Sequence, residues 1–443
     1  MSGSSPKPER PYRVLKERDF RLLWGSQFVS LTGTQMQVVA LNWHVYLLTH
    51  SPLALGMVGL SRLIPIVAFS LWGGIVADRS DRRRVMFVAQ SAMALFSTVL
   101  VVMTLTGRSS LAVLYALNAA TAAASSFDNP ARQALVPRLV TPGALSSALA
   151  MNLAMFHAAV IGGPAIAGLL LAKDATHAAG AAALLDARAT RAIASIYALN
   201  ALSFAVVLVA LFLIRTSGRP EAAVAVERPL ASLKAGLRFV FTTPLMVWTM
   251  GLDFVATFFA GALSLLPIFA DQVLGAGPRG YGWLVAAPAL GGLAGSVYTA
   301  LFPLPRRQGR AFLWAVVAYG LCTVAWGLSS RFALVFAFLA GAGLADLVST
   351  VIRQHLRQLI TPDGLRGRMT SVNMIFFMGG PQLGELEAGL VASLFASATL
   401  GVRVSVVLGG LATMLAAAVV FLRSPLVRDY QGVPPPPAEP ATA

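Results

Sequence analysis

Charge is what this sequence has least of. Only 12% of its 443 residues are Asp, Glu, Lys or Arg, about half of the ~25% usual in a soluble domain. A water-facing surface cannot be built from so few charges, which excludes a soluble enzyme. Acidic residues are scarcest, 18 against 34 basic ones, and the net charge is +16. That excess does not point to nucleic acid, because it is dispersed as short clusters between apolar segments. Cysteine is almost missing. Cys322 alone permits no intrachain disulfide and no cysteine metal cage, and its apolar surroundings read as those of a small core residue. There is no Gly-x-x-x-x-Gly-Lys-Ser/Thr loop to cradle phosphates, which argues against ATP-driven transport. The five histidines (His44, His50, His157, His177 and His355) are scattered at no spacing suited to zinc. Neither a cofactor nor a metal is expected. The first twenty residues carry Lys7, Arg10, Arg13, Lys16 and Arg18 without an apolar core, so a cleavable signal is not expected.

What is present is hydrophobicity. Apolar residues make up 57% of the chain and the mean hydropathy is +0.72. Apolar runs recur near the ~20 residues that a helix needs to cross the hydrocarbon. They place spans at 20–48, 53–77, 85–107, 110–136, 144–172, 193–214, 245–270, 280–304, 311–329, 331–359, 366–395 and 399–422. The expected fold is an all-α membrane protein of twelve transmembrane helices. Basic residues test the assignment. Of all Lys and Arg, only Arg108, Lys173, Arg188, Arg191, Arg279, Arg331 and Arg403 fall on one face and Arg62 within a span. The rest fall on the other face, which by the positive-inside rule is cytoplasmic and holds both termini. The Ala-rich stretch 173–192 reads as a solvated outer insertion.

The spans divide six and six. Residues 1–19 form a cytoplasmic tail, 20–214 a first six-helix half, 215–244 a cytoplasmic linker, 245–422 a second half, and 423–443 a Pro-rich tail. Within the linker, Leu230 to Phe241 is basic and amphipathic, suited to the inner membrane surface. Both tails have too little apolar content to fold. An internal echo supports the halves: RLVTP at 138–142 and QLITP at 358–362 each precede a helix carrying Gly-Gly-Pro, at 162–164 and 379–381. A second, degenerate echo sets 305–310 against 78–84. Repeated halves around a midplane site are the architecture of alternating access.

The most specific motif is GGIVADRSDRRR at 73–84. Its glycines, Gly74 among them, suit close helix approach. Asp78 follows, with Arg79, Arg82 and Arg83 behind it. An acid at a helix end can pair with an arginine or a helix N-terminus and hold the cytoplasmic side shut. Here the chain resembles the major facilitator superfamily, whose loop signature is a Gly, then Asp-Arg, then a basic pair. Asp81 stands where that pattern usually has Gly. The resemblance continues through FRLLW at 20–24, SLTGT at 30–34, THSPLALG at 49–56 and DNPARQ at 128–133. Together these resemble the drug:proton antiporter branch that includes macrolide and enterobactin exporters. By resemblance, Asp128 and Arg132 would partner Asp78 in a gate; their i, i+4 spacing also lets them pair with each other. Gly162, Gly163, Pro164 and Gly168 resemble the helix-5 signature of the exporters, which favours efflux; plain helix packing is the competing reading.

Ionisable groups within spans are costly and mark function by default. They are Arg62, His157, Asp253, Asp346, Glu385 and Glu387. Asp253, Asp346 and Glu385 are candidates to carry a proton in each cycle. The competing reading pairs each acid with a structural arginine such as Arg62 or Arg353. Gln35 and Asn42 share one face of the first helix while Gln37 and His44 share nearly the opposite one, so only one pair can fully line a cavity. Arg62, His157, Phe258 and Phe376 complete the cavity candidates, with Phe259 and Phe377 as further apolar contacts. The function expected is secondary-active export of small amphipathic molecules, of drug or siderophore class, in exchange for protons. Its partners would be that substrate, protons and the bilayer, with the chain a monomer. Rival readings are a lysophospholipid flippase on the same fold, a membrane-embedded enzyme, for which no catalytic constellation is seen, and a non-transporting interaction protein.

Overall fold

The computed structural model describes residues 11–173, 187–219, 229–303, 305–362 and 365–432. Among these there is no strand, and the all-helical expectation is met. The long helices are α1 (Arg18–Thr49), α2 (Pro52–Arg79), α3 (Arg82–Leu105), α4 (Leu111–Leu135), α5 (Leu145–Lys173) and α6 (Ala187–Leu213). A shorter helix, α7 (Pro229–Thr242), precedes α8 (Pro244–Phe259). After α8 the chain passes through a tight turn, the three-residue α9 (Leu266–Ile268) and a wide π turn at Phe269–Val273. Then follow α10 (Gly277–Leu301), α11 (Gln308–Leu328), α12 (Phe332–Ile360), α13 (Arg366–Ser393), α14 (Ala398–Arg423) and the short α15 (Pro425–Arg428). Nine helical stretches among the described residues are long and apolar enough to cross a membrane. The long helices α1, α4 and α13 fall outside that set; their mean hydropathy is lowered by polar residues such as Gln35, Asn129 and Glu385.

Starts and stops follow local chemistry. Ser51 and Ser110 cap α2 and α4 by accepting the N–H groups of Ala54 and Val113, and Asp81 caps α3 through the Arg83 N–H at 3.0 Å. Pro65, Pro130, Pro164, Pro288 and Pro381 sit inside helices, where each removes one backbone hydrogen bond. Large side chains such as Phe212 (81% exposed) and Trp314 (69%) point away from the protein, as lipid-facing residues do.

The chain forms two compact units. The first is Met1–Val226 with Leu263–Ala289 and Glu385–Val402. Within it α2 packs on α4, α3 on α4 and α6, and α1 on α5 and α6. Its core at the 79–82 end gathers Phe20, Met86, Leu135 and Leu211. Gln37 is the polar centre, accepting from Ser97 Oγ at 2.9 Å and Asn200 Nδ2 at 2.8 Å and so joining α1, α3 and α6. The second unit is Glu227–Ala262, Leu290–Gly384 and Arg403–Ala443. There α11 packs on α12, and Val240, Met246, Phe312, Ile352 and Tyr430 lie in one core. In α7, Val240 is buried there while Lys234 and Arg238 stay exposed.

Several boundaries differ from expectation. The start of the chain is ordered from residue 11: Pro11–Lys16 forms a 3-10 turn and Val14 is buried. The C-terminal tail is likewise ordered as far as Gly432. Val427 and Tyr430 are buried, and the Gly309 N–H donates to the Tyr430 carbonyl at 3.0 Å. Those two apolar side chains give the segment a core contact that composition alone does not reveal. In the stretch 173–192, residues from Ala187 onward belong to α6. Residues 174–186 lie outside the described residues, as do 1–10, the linker stretch 220–228 and the Pro434–Pro437 run.

Candidate functional site

Three clusters of polar side chains sit among these apolar helices. The first surrounds the turn from α2 to α3, in the first unit. A Cβ at Gly73 would land on the Ser126 carbonyl, whereas one at Gly74 would meet no atom within 4 Å. The close approach of α2 to α4 therefore rests on Gly73 rather than Gly74. Arg83 donates to the Leu211 carbonyl at 2.8 Å and the Thr216 carbonyl at 3.4 Å, and the Arg82 N–H donates to the Gly218 carbonyl at 3.1 Å. Asp19 is tied to the same segment, accepting from both N–H and hydroxyl of Thr216 and from the Arg215 N–H. The α2–α3 turn, the start of α1 and the end of α6 are thus one hydrogen-bonded assembly.

The expected contact of Asp78 with Asp128 and Arg132 is not made. Asp78 and Arg79 are exposed, and Asp78 has no hydrogen bond or ion pair among the described residues. Asp128 is buried and instead accepts from Gln90 Nε2 at 2.9 Å, with Arg132 at 3.9 Å. Arg132 also donates to Asn129 at 2.7 Å. The i, i+4 pairing is formed; the cross-helix one is not.

The second cluster lies at the opposite ends of helices in the same unit. The Tyr46 hydroxyl donates to Asp271 at 2.5 Å, and Gln272 donates to Tyr46 at 3.3 Å. Trp43 stacks on Tyr281 at 5.5 Å. Bare backbones meet nearby. Gly168 on α5 and Gly282 on α10 approach so closely that a Cβ on Gly168 would sit 2.8 Å from the Gly282 Cα; Gly56 and Gly389 are similarly apposed. On α5, a Cβ on Gly163 would fall 2.6 Å from the Gln35 Cβ, while one on Gly162 would meet nothing within 4 Å; Pro164 is buried with its carbonyl toward Gly282. Arg62 acts electrostatically on Glu385. The sequence assignment ended the seventh span at residue 270, and nothing local links Tyr46 to Asp271. On α1, Gln37 and His44 turn into the core, His44 against the Tyr197 hydroxyl at 3.2 Å. That leaves the Gln35–Asn42 face, where the buried Asn42 Oδ1 has no hydrogen-bond partner among the described residues. His157 is half-buried against Phe156.

The third cluster belongs to the second unit. Arg353 on α12 pairs with Asp253 on α8 through Nη1, while its Nη2 lies 3.8 Å from Asp346. Arg353 and Asp253 are nearly enclosed, at 11% and 12% side-chain exposure, whereas Asp346 is open at 47%. Arg357, one turn on, adds a second positive charge acting on Asp253. Phe254 stands beside Asp253, stacked on Phe258 at 6.1 Å and edge-on to Phe376 at 6.0 Å. Phe254 was missed in the sequence, although its i, i+4 relation to Phe258 was available there. Two acids, two arginines and an aromatic patch share one place, which suits charge exchange beside an apolar surface. Among the described residues no group of His, Cys, Asp or Glu is arranged to hold a metal.

Comparison with known proteins names this architecture. The profile of the transmembrane secretion effector family matches residues 10–431. The chain belongs to that family, within the major facilitator superfamily. A transmembrane secretion effector of this kind is a multi-pass membrane protein and a secondary transporter exporting small molecules, not an enzyme. The chain is 27% identical to the multidrug efflux pump Tap of Mycolicibacterium fortuitum, over 82% of this chain and 88% of that one. It is 26% identical to the enterobactin exporter EntS of Escherichia coli, over 80% of each. Among solved structures, a bacterial homologue of the human lysosomal transporter Spinster, inward-facing and occupied, superposes with a TM-score of 0.70 at 14% identity. That match covers 97% of this chain and 100% of that one and speaks for the fold.

Proposed function

We propose that this transporter expels amphipathic molecules of drug or siderophore class from the cell in exchange for protons. Twelve spans in two six-helix halves, with both ends cytoplasmic in the cell membrane, would alternate access to a midplane site, and the chain would work as a monomer. The observation that carries the coupling is the Asp253–Arg353–Asp346 cluster. Two carboxylates compete for one arginine there, so a proton taken by either acid releases the guanidinium to the other. Such a group of charges in an apolar interior is costly to maintain and has two arrangements that a proton selects between. Glu385 with Arg62 is a second acid–base pair available to the same cycle. The Gln35–Asn42 face, Arg62, His157 and the Phe254–Phe258–Phe376 patch would contact cargo. In support of efflux stand the secretion family and the names of the two long relatives.

Tyr46–Asp271, Trp43–Tyr281 and the glycine contacts would close the outer side. Asp78, exposed and without a partner among the described residues, would engage when the inner side closes. The test is efflux of a cationic dye from pump-deficient cells, with and without a protonophore, for wild type and for Asp253→Asn, Asp346→Asn and Glu385→Gln. Loss of protonophore-sensitive efflux in at least one acid variant, at unchanged expression, is expected. Unchanged pH dependence in all three would remove these acids from the coupling. Labelled lysolipid as cargo in the same cells separates a flippase from a drug exporter.

A further inference from the structure

A cavity of about 830 Å³ opens beside the α2–α3 turn, in the first unit. One end is basic: Arg79, Arg84 and Arg219 line it. The other is apolar: Val88, Ala92 and Phe127 form its wall. From Arg84 to Ala92 the wall runs eight residues along α3, roughly 12 Å at 1.5 Å per residue. Val88 is 68% exposed on a helix apolar enough to span the membrane, so this wall faces lipid. The arginines sit at the helix end, where a headgroup would be.

The basic end is electrostatically incomplete. The first turn of α3 holds Arg82, Arg83 and Arg84 and no acidic residue, although a helix N-terminus disfavours cations and attracts anions. Arg83 is spent on the Leu211 and Thr216 carbonyls. Asp81 also lines the cavity, but one of its oxygens already accepts the Arg83 N–H. Among the described residues the guanidinium groups of Arg79, Arg84 and Arg219 make no hydrogen bond or ion pair. Three guanidinium groups without a partner among the described residues thus line an apolar groove as large as a small-molecule site.

We infer that this groove binds one anionic phospholipid, its phosphate on Arg84 and Arg219 and an acyl chain along Val88 and Ala92. The lipid is a resident and not the cargo. Bound there, it would hold the α2–α3 turn against the end of α6. The inference rests on the membrane reading of α3. It does not depend on the direction of transport or on proton coupling.

Native mass spectrometry of the purified full chain tests it, after equilibration with vesicles of equal phosphatidylglycerol and phosphatidylcholine. The wild type should retain phosphatidylglycerol in preference. Each arginine removed should lower that preference about five-fold, so Arg84→Gln with Arg219→Gln should lower it about 25-fold. Ala92→Phe, which fills the apolar wall and alters no charge, should reduce retention of both lipids. Arg108→Gln, an exposed charge at the far end of α3, should change nothing and controls for charge loss alone. Millimolar inorganic phosphate should not displace the lipid. Equal retention of both lipids by the wild type, or an undiminished preference in the double variant, would overturn the inference. So would displacement by inorganic phosphate, which would mark a simple anion site.

Discussion

Replacing Arg353 with glutamine should destabilise the protein far more than replacing Arg353 and Asp253 together. The single variant leaves Asp253, 12% exposed, with its charge and without the guanidinium that faces it. Removing one member of a buried pair costs about 3–5 kcal/mol, because the remaining charge stays desolvated. Arg353 also donates to Thr350 at 2.8 Å and Ser349 at 3.2 Å; those bonds lie within one helix and add about 1 kcal/mol each at most. Arg357 gives partial compensation, which places the expectation at the lower end, about 3 kcal/mol. In the double variant Asp253→Asn, Arg353→Gln both enclosed charges are gone, and Asp346, 3.8 Å from the guanidinium and less enclosed than Asp253, loses less with it. Most of the lost stability should return, with a coupling of about 1–3 kcal/mol between the two sites. Export should not return, since the competition for a proton is gone. The assays are thermal unfolding in detergent, followed by tryptophan fluorescence, and dye efflux from cells. A single variant as stable as wild type would refute the buried-pair argument. A stable double variant with wild-type proton-dependent efflux would refute the functional one.

Other expectations are simpler. Gly73→Ala should destabilise by about 1–3 kcal/mol through overpacking against the Ser126 carbonyl, while Gly74→Ala, with open space around it, should be neutral in the same unfolding assay. Tyr46→Phe removes the hydrogen bond to Asp271, worth about 1.5–3 kcal/mol when the acceptor is charged. Labelling of a cysteine introduced at the buried Ala270, beside Asp271, should then show more opening at that end; unchanged labelling would separate this contact from the closure. Asp19, one residue before the first span, is held below the usual carboxylate range: burial opposes this, but the hydrogen bonds from Thr216 and Arg215 and the charge of Arg18 outweigh it. A depressed carboxyl contributes fully above its unfolded value and loses its contribution as pH falls through the folded one. Hydrogen exchange of residues 214–219 should therefore quicken below about pH 4, the ordinary Asp range, and Asp19→Asn should be fast at every pH.

The fold was legible because hydropathy and the positive-inside bias act over whole segments, and GGIVADRSDRRR at 73–84 is specific enough to point to a superfamily. Side-chain partners were legible only where they were local or chemically forced. Asp128–Arg132 follows from i, i+4 spacing. Arg353 was one of two arginines available to the membrane acids, and it lies between Asp253 and Asp346. Tyr46–Asp271 was invisible, since 225 residues separate the two and no periodicity encodes the meeting of two helix ends. The choice of Gly73 over Gly74, and of Gly163 over Gly162, depends on helix rotation. A helix apolar nearly all round carries no moment from which to read that rotation. The ordered C-terminal segment escaped because one buried valine and one tyrosine anchor it, too few to stand out from its polar neighbours.

In the proposed cycle, proton entry at the Asp253–Arg353–Asp346 cluster drives export. Inside-out membrane vesicles loaded with acid buffer and diluted into neutral buffer test it most directly. Cationic dye uptake should rise with the imposed proton gradient, collapse on addition of protonophore, and be absent in vesicles carrying Asp253→Asn. Uptake that ignores the gradient, or that persists at the wild-type rate in the Asp253→Asn vesicles, would contradict the account.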